Sequence, residues 1–442
     1  MVVSVLGGVL VVGLLAVVVA TVVAGRQTQR QITKARADQS DAKAKGALPP
    51  SLHPKIDPDR CIGSGSCVTV CPETDVLAVL DGRAEVVNPT SCIGHGECLR
   101  ACPVDAIALV LGNERRGVDI PMVAADFQTN VPGLYVVGEL GGMGLVHNAM
   151  TQALQCVEGL RRQVPAAQAG VHQLIIVGAG PAGLAAGLAA KEAGLDFVVL
   201  EQHSLGGSVL HYPRHKIVMT RPVKLPLYGS LQLGEVRKEA LLETWHDIQA
   251  RAELPLRAGV RVDAVTREAD ETFRVTTSEG EFCAHRLMLA MGRRGTPRKL
   301  GVPGEEQGKV VYRLIEPEAY RGLRCVVVGG GDAGVEAAIT LGEVGAAVHL
   351  AHRKGVFDRI KRKNQERLDA AVAAGTVTVL IHTTVSAIGK ATIDLSVNGA
   401  PQTLDNDHVL IFAGGVLPTD FLTQAGVEIS TYRGEAYAPA NL

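Results

Sequence analysis

No Cys-x-x-Cys occurs in these 442 residues, and that absence weighs against a dithiol redox site. An excess of one charge is missing too. Lys and Arg number 44 against 45 Asp and Glu, a net charge of −1, so no global bias points to nucleic acid. The nine cysteines therefore matter only through placement. Six fall between positions 61 and 102 in two similar groups, while Cys156, Cys283 and Cys325 stand alone in apolar segments and read as buried thiols. Nothing basic precedes the first apolar run. A cleaved signal peptide has a basic start and an apolar core of about 7–15 residues, so that reading is disfavoured.

What is present starts with length: 442 residues give room for two or three domains, and 50 glycines fit α/β folds with many tight turns. Residues 2–24 are apolar apart from Ser4 and Thr21. That is long enough to cross a hydrocarbon core of about 30 Å at about 1.5 Å per residue. Arg26, Arg30, Lys34 and Arg36 follow directly, and positive flanks stay in the cytoplasm. The expectation is a single-pass anchor in the inner (cytoplasmic) membrane with the body on the cytoplasmic side. Residues 26–54, polar and then punctuated by Pro49, Pro50 and Pro54, read as a helical or flexible stalk.

The chain is organised around residues 174–201. Leu174 to Val177 read as a buried parallel strand. Gly178, Gly180 and Gly183 form GxGxxG, with Pro181 opening an Ala-rich helix. A second strand, Phe197 to Leu200, closes on Glu201, 23 positions after the first glycine. Glycines there allow the tight turn, close approach to a pyrophosphate and helix–strand packing. The helix N-terminus favours phosphate, and the acid can accept from a ribose hydroxyl. A second such unit begins at Cys325, with Gly329, Gly331 and Gly334 repeating the fingerprint. His352 stands where Glu201 stands in the first unit, followed by Arg353 and Lys354. A carboxylate there would repel a 2′-phosphate, whereas a guanidinium pairs it bidentately, so NADPH is expected over NADH. A solvated basic turn is the alternative.

An internal repeat precedes both. CIGSGSCVTVCP (Cys61 to Pro72) recurs as CIGHGECLRACP (Cys92 to Pro103), 31 residues on. Over about 55 residues this resembles the bacterial dicluster ferredoxin domain, whose runs read C-x2-C-x2-C-x3-C-P. Ser64 and His95 replace the second ligand of each run. In two-cluster ferredoxins the last Cys of a run serves the other cluster. The resemblance therefore implies one site of Cys61, Cys67 and Cys102 and another of Cys92, Cys98 and Cys71. Three thiolates suit a 3Fe–4S cluster, or a 4Fe–4S cluster with a non-thiolate fourth ligand. His95 as ligand or as a bystander both stay open; ligation by Ser64 needs an alkoxide, which is hard to form.

Phe127 to Gly144, FQTNVPGLYVVGELGGMG, with the helix-like run after it, resembles the closing FAD-binding segment of thioredoxin-reductase-like flavoproteins. Gly138-Glu139 stands where that family usually has Gly-Asp. In the family this segment follows both nucleotide folds; here it precedes the first. Residues 407–429 resemble the piece that normally leads into it, and no second copy follows. The resemblance implies a circular permutation. Leu205 to Pro222, including Gly207, resembles the Gly-Gly loop of the bacillithiol-disulfide-reductase-like branch. The thioredoxin-reductase Cys pair is absent from Val311 to Tyr320, and the bacillithiol branch's Cys is Ala182 here, so neither thiol chemistry is implied.

The expected architecture is α/β: two Rossmann-like three-layer domains (FAD and NADPH), a small α+β dicluster ferredoxin domain and one N-terminal transmembrane helix. Its segments are the anchor 1–25, stalk 26–54, ferredoxin 55–112, displaced FAD segment 113–166, FAD domain 170–293, NADPH domain 294–417 and a return to the FAD domain at 418–442. The expected function is membrane-anchored electron transfer from NADPH through FAD and two iron–sulfur clusters to a quinone, a cytochrome or a soluble redox protein. No catalytic acid or base is named, and a homodimer stays open. The alternatives are a low-molecular-weight disulfide reductase using Cys156, Cys283 or Cys325, and a non-catalytic membrane-bound redox sensor.

Overall fold

The computed structural model describes residues 2–49, 52–114, 117–142, 144–232, 234–293 and 296–437, with side chains from residue 17 onward except at 219 and 296. The chain divides into two units, Met1–Leu109 and Val110–Leu442.

One helix, Val2–Ala44, opens the first unit and passes through Arg26 without a break. Among the described residues no helix is long and apolar enough to cross a membrane. The apolar side chains described at its start cover residues 17–24. They span about 12 Å of helix against a hydrocarbon core of about 30 Å. The expected transmembrane helix, inner-membrane location and membrane contact are corrected on that finding. The side chains of the earlier part of the run, 1–16, lie outside the described residues.

Of the expected helical or flexible stalk, residues 26–44 are helical and packed against the body of this unit. Ala35 is buried against Leu80 and Val87, with Ile32 and Ala78 packed beside them. Arg36 pairs with Asp81 at 2.5 Å, and Gln39 donates to Glu85. Arg36 and Asp81 are well exposed, so their pair contributes little and the apolar contact carries the docking.

The remainder of this unit is α+β. Leu77–Leu80 and Arg83–Val86 form an antiparallel hairpin, and His53–Ile56 pairs with Ile107–Val110. The sequence repeat is also a backbone repeat. Gly63 and Gly65 have φ of +68° and +73°, and Gly94 and Gly96 have +80° and +79°. Only glycine enters that region at no steric cost. Gly65 and Gly96 each lead into one helical turn, Ser66–Thr69 and Glu97–Arg100, that carries a buried cysteine.

In the second unit the four apolar residues before the first fingerprint fall inside strand His172–Val177, the middle of a seven-stranded sheet. Phe197–Glu201 and then Leu256–Ala258 extend the sheet in parallel on one side. Gly280–Leu289 lies parallel on the other side and also pairs in parallel with Leu134–Val136, so Leu134 stands beside Leu287. A strand from before the glycine loop is thus part of the same sheet. The helix that follows it, Val146–Leu160, turns Ala149, Met150, Ala153, Val157 and Leu160 into a core shared with helix Pro181–Glu192.

A second sheet of five parallel strands runs in the order Val310–Val311, His408–Ile411, Arg324–Val328, Ala347–Ala351, Val377–Leu380, flanked by a three-stranded antiparallel meander over 383–405. The chain then returns. Ile429–Tyr432 pairs antiparallel with Val118–Pro121, Gly434 N donates to Leu111 O at 2.8 Å, and the Tyr437 hydroxyl donates to Gly141 O.

Candidate functional site

The cysteines of the first unit separate into two cavities. One, about 300 Å³ of space partly open to solvent, is lined by Cys61, Cys67 and Cys102 together with Ser64. The other, about 360 Å³, is lined by Cys71, Cys92 and Cys98 together with His95. Each combines two cysteines of one repeat with the last cysteine of the other. Among the described residues no three His, Cys, Asp or Glu side chains converge as ligands of a single ion. The sulfurs surround a space instead, which suits a multi-iron cluster and not a lone zinc.

The loops around these sulfurs supply donors. Ala84 N–H points to Cys61 Sγ at 3.3 Å and Ala106 N–H to Cys102 Sγ at 3.2 Å. Such bonds to cluster sulfurs are one means of setting potential. Burial pushes the Cys67 and Cys71 thiols up, and burial with the neighbouring Cys92 and Cys71 pushes Cys98 up to about 12. Iron must therefore displace protons to bind. Ser64 is exposed, and its hydroxyl lies 3.3 Å from that of Ser66. His95 is half-buried in the wall of its cavity.

The first glycine loop is packed so closely on its own surroundings that side chains there would collide with backbone. A Cβ on Gly183 would stand 1.8 Å from Gly178 O, and one on Gly178 would stand 2.7 Å from Ala290 O. A Cβ on Gly207 would stand 2.8 Å from Gly180 Cα, so Gly207 closes on the loop just ahead of Pro181. Gly138 comes to the same place from the other side. Its added Cβ would lie 3.2 Å from Ala182 Cβ and 3.4 Å from Ala149 Cβ, and its N–H donates to Gln152 Oε1 at 2.9 Å.

Glu201 is buried, accepting from Ala179 N at 2.8 Å and from His203 N at 2.9 Å. Those amides fix the carboxylate, and each oxygen keeps lone-pair capacity for a hydroxyl. Glu139 faces Gly292, whose added Cβ would be 3.9 Å from Glu139 Oε2. Beside Ala149, Asn148 Nδ2 is buried with no protein partner. A buried donor without a partner is costly, so its place here fits a ligand that accepts. The tight glycine turn at the helix start, the held acid and this orphaned amide together fit FAD.

The second loop differs in ways the sequence does not show. Gly331 has open space where a Cβ would be, while a Cβ on Gly330 would stand 2.0 Å from the His352 ring. His352 is buried, stacked on Phe357 at 4.7 Å, and its Nε2 lies 3.0 Å from Val356 O. Burial lowers its pKa, so the imidazole is neutral at pH 7 and forms a wall, not a charge. Lys354 is paired with Asp358. Arg353 is exposed with no acidic partner among the described residues, the feature a 2′-phosphate site needs. Gly329 packs on Phe412, and Gly334 lies over Gly329.

Several participants left no signal in the sequence: the Ala84 and Ala106 amides, Gln152 and Asn148. Amide donors carry no residue-type signature, and the two side chains sit on a helix whose pattern reads only as amphipathic.

The chain resembles known proteins over the same stretches. Residues 175–440 match the family described as pyridine nucleotide-disulphide oxidoreductase, and residues 53–103 match the 4Fe-4S dicluster domain. A ferredoxin–NADP reductase of Ignicoccus hospitalis is 30% identical over 247 residues, covering 55% of this chain and 77% of the relative. Bacilliredoxin reductase Bdr of Bacillus subtilis is 28% identical over 272 residues, covering 60% and 84%. The solved bacillithiol disulfide reductase of Staphylococcus aureus superposes with a TM-score of 0.53 at 26% identity, covering 59% of this chain and 81% of that one. The chain belongs to the pyridine nucleotide-disulphide oxidoreductase family and carries a 4Fe–4S dicluster domain ahead of it, an NAD(P)H-dependent flavin and iron–sulfur oxidoreductase.

Proposed function

We propose that the chain moves electrons between NADPH and a redox partner by way of FAD and two iron–sulfur clusters, one in each cysteine cavity. The observation that carries this reading is the division of six cysteines between two cavities on the same chain as two glycine fingerprints. A relative is named for reducing NADP with ferredoxin, and here the ferredoxin-like module is part of the chain. When bound, the flavin takes up hydride in pairs of electrons and the clusters exchange them singly.

This chain's residues hold and tune. Gly178, Gly180, Pro181, Gly183, Gly207 and Gly138 shape the pyrophosphate cradle, Glu201 accepts from the adenosine ribose, and Glu139 faces the ribityl end. Gly329, Gly331 and Gly334 receive the second pyrophosphate, and Arg353 pairs with the 2′-phosphate. Residues 113–166 serve as the displaced wall of the FAD site, a circular permutation. Two features favour it: strand Leu134–Val136 lies in the FAD-side sheet, and Ile429–Tyr432 lies against Val118–Pro121.

A disulfide reductase is less well supported. Of the three thiols offered for it, Cys283 is only half-buried, in strand Gly280–Leu289, which corrects its reading as a buried thiol. With Ala182 in the glycine loop, the other two, Cys156 and Cys325, are buried, and burial pushes the first thiol well up and the second to about 11. Neither is a thiolate at neutral pH.

Anaerobically prepared protein is expected to contain six to eight iron atoms with matching sulfide per chain. In stopped flow, NADPH should bleach the flavin first and the clusters afterwards. One zinc without sulfide, or flavin untouched by NADPH, would remove this reading.

A further inference from the structure

One short segment reaches from the first glycine loop to the second dinucleotide fold. At its start Gly206 N donates to Ala179 O at 2.9 Å, and Gly207 lies on Gly180. A 3-10 turn, Gly207–His211, follows. Within the next few residues the segment is tied to the other fold four times. His211 Nδ1 accepts from Arg313 Nη1 at 3.0 Å. Arg214 N donates to Ile315 O at 3.0 Å, and its guanidinium grips Glu316 through bonds of 2.7 and 2.6 Å. Lys216 pairs with Glu336.

Glu336 belongs to helix Asp332–Glu343, which begins directly after Gly331. Asn364 donates to Glu336 at 2.9 Å and to Asp332 at 2.7 Å, so the Lys216 link continues to the first residue of that helix. Between Arg214 and Lys216, His215 holds φ +63°, a left-handed conformation that costs a side-chain-bearing residue. Its N–H donates to Glu239 Oε1 at 3.0 Å, and Lys238 Nζ donates to the carbonyls of Leu210 (3.4 Å) and Tyr212. A single exposed ion pair orders little. A two-bonded guanidinium–carboxylate fork, a second ion pair and a strained backbone supported from below form a built tie.

We propose that segment 207–216 is a positioning element that couples the two dinucleotide sites. It ties the glycine loop of one fold to the first helix of the other and so fixes where NADPH presents its reactive end to the flavin. The inference rests on the NADPH-to-FAD reading above. None of His211, Arg214 or Lys216 needs to touch either cofactor.

The test uses the full holoprotein and four readouts: flavin content, affinity for 2′,5′-ADP, the shift of the flavin absorption band when NADP⁺ is added, and the rate of flavin bleaching by NADPH. Lys216→Met and Arg214→Glu should keep flavin content and 2′,5′-ADP affinity within twofold of wild type. They should lose most of the band shift and slow bleaching about tenfold. The exchange Arg214→Glu with Glu316→Arg should recover both. Band shift and rate left at wild-type values in the single variants would overturn the proposal. So would flavin loss in them that tracks the slower rate, since a general structural role would explain that. Wild-type protein whose flavin ignores NADPH would instead remove the functional reading, a separable result.

Discussion

Arg353 and Lys354 are adjacent in sequence but not equivalent in charge, because Asp358 already engages Lys354. Arg353→Ala should therefore weaken NADPH far more than NADH, which lacks the 2′-phosphate. A lost charge-assisted pair is worth about 1.5–3 kcal/mol, roughly ten- to a hundredfold in affinity. Parallel titrations with both nucleotides decide it, and equal weakening would place the phosphate elsewhere. His95 invites a comparable experiment. It is half-buried in the cavity of Cys71, Cys92 and Cys98, whereas Ser64, at the wall of the other cavity, is exposed beside Ser66. If His95 holds the fourth iron, His95→Ala should drive that cluster toward a three-iron form and His95→Cys should restore four. Electron paramagnetic resonance separates the two, and spectra unchanged in both variants would put His95 outside the coordination sphere.

At the scale of the element, the 3-10 turn that ends on His211 has a pH signature. Burial, then Arg313, His203 and Lys238, lower the His211 pKa to about 4 from an ordinary 6.5. The unfolded chain binds the proton more readily than the folded one, so this group's contribution is complete above pH 6.5 and is lost as pH falls toward 4. Denaturant midpoints of wild type and His211→Gln should converge over that window; parallel pH profiles would contradict it. Such elements also mark what the sequence could and could not show. The glycine fingerprints and the cysteine frames were legible because a turn, a close approach or a thiolate set demands particular residues at fixed spacing. The docking of the helix through Arg26 was not, since hydropathy registers the apolar run but not the hairpin at Leu80 and Val87 on which Ala35 rests. His352 read as the cofactor-site residue standing in the place of Glu201, and only tertiary packing against Gly330 and Phe357 makes it a neutral wall. The ties of Arg214 and Lys216 were hidden because their partners lie at Glu316 and Glu336, about a hundred residues away in sequence.

For the whole molecule, the displaced segment makes a prediction of its own. A truncated protein beginning near residue 168 would keep both fingerprints but lose Leu134–Val136, Gly138 and helix Val146–Leu160. It should purify without flavin, and residues 113–166 appended at its C-terminus should restore binding. Full flavin stoichiometry in the truncated protein would end the permutation argument. The same interleaving bears on synthesis. Strand Leu134–Val136 leaves the ribosome well before its neighbour Gly280–Leu289, and Val118–Pro121 well before Ile429–Tyr432. At about 5–20 residues per second the first wait is on the order of 10–30 s and the second longer. The cysteine-rich module can finish folding in that interval, while the apolar residues Leu134, Tyr135 and Val136 stand uncovered on a nascent chain. Chaperone demand during translation should therefore fall on this stretch, and moving it behind residue 442 should relieve that demand.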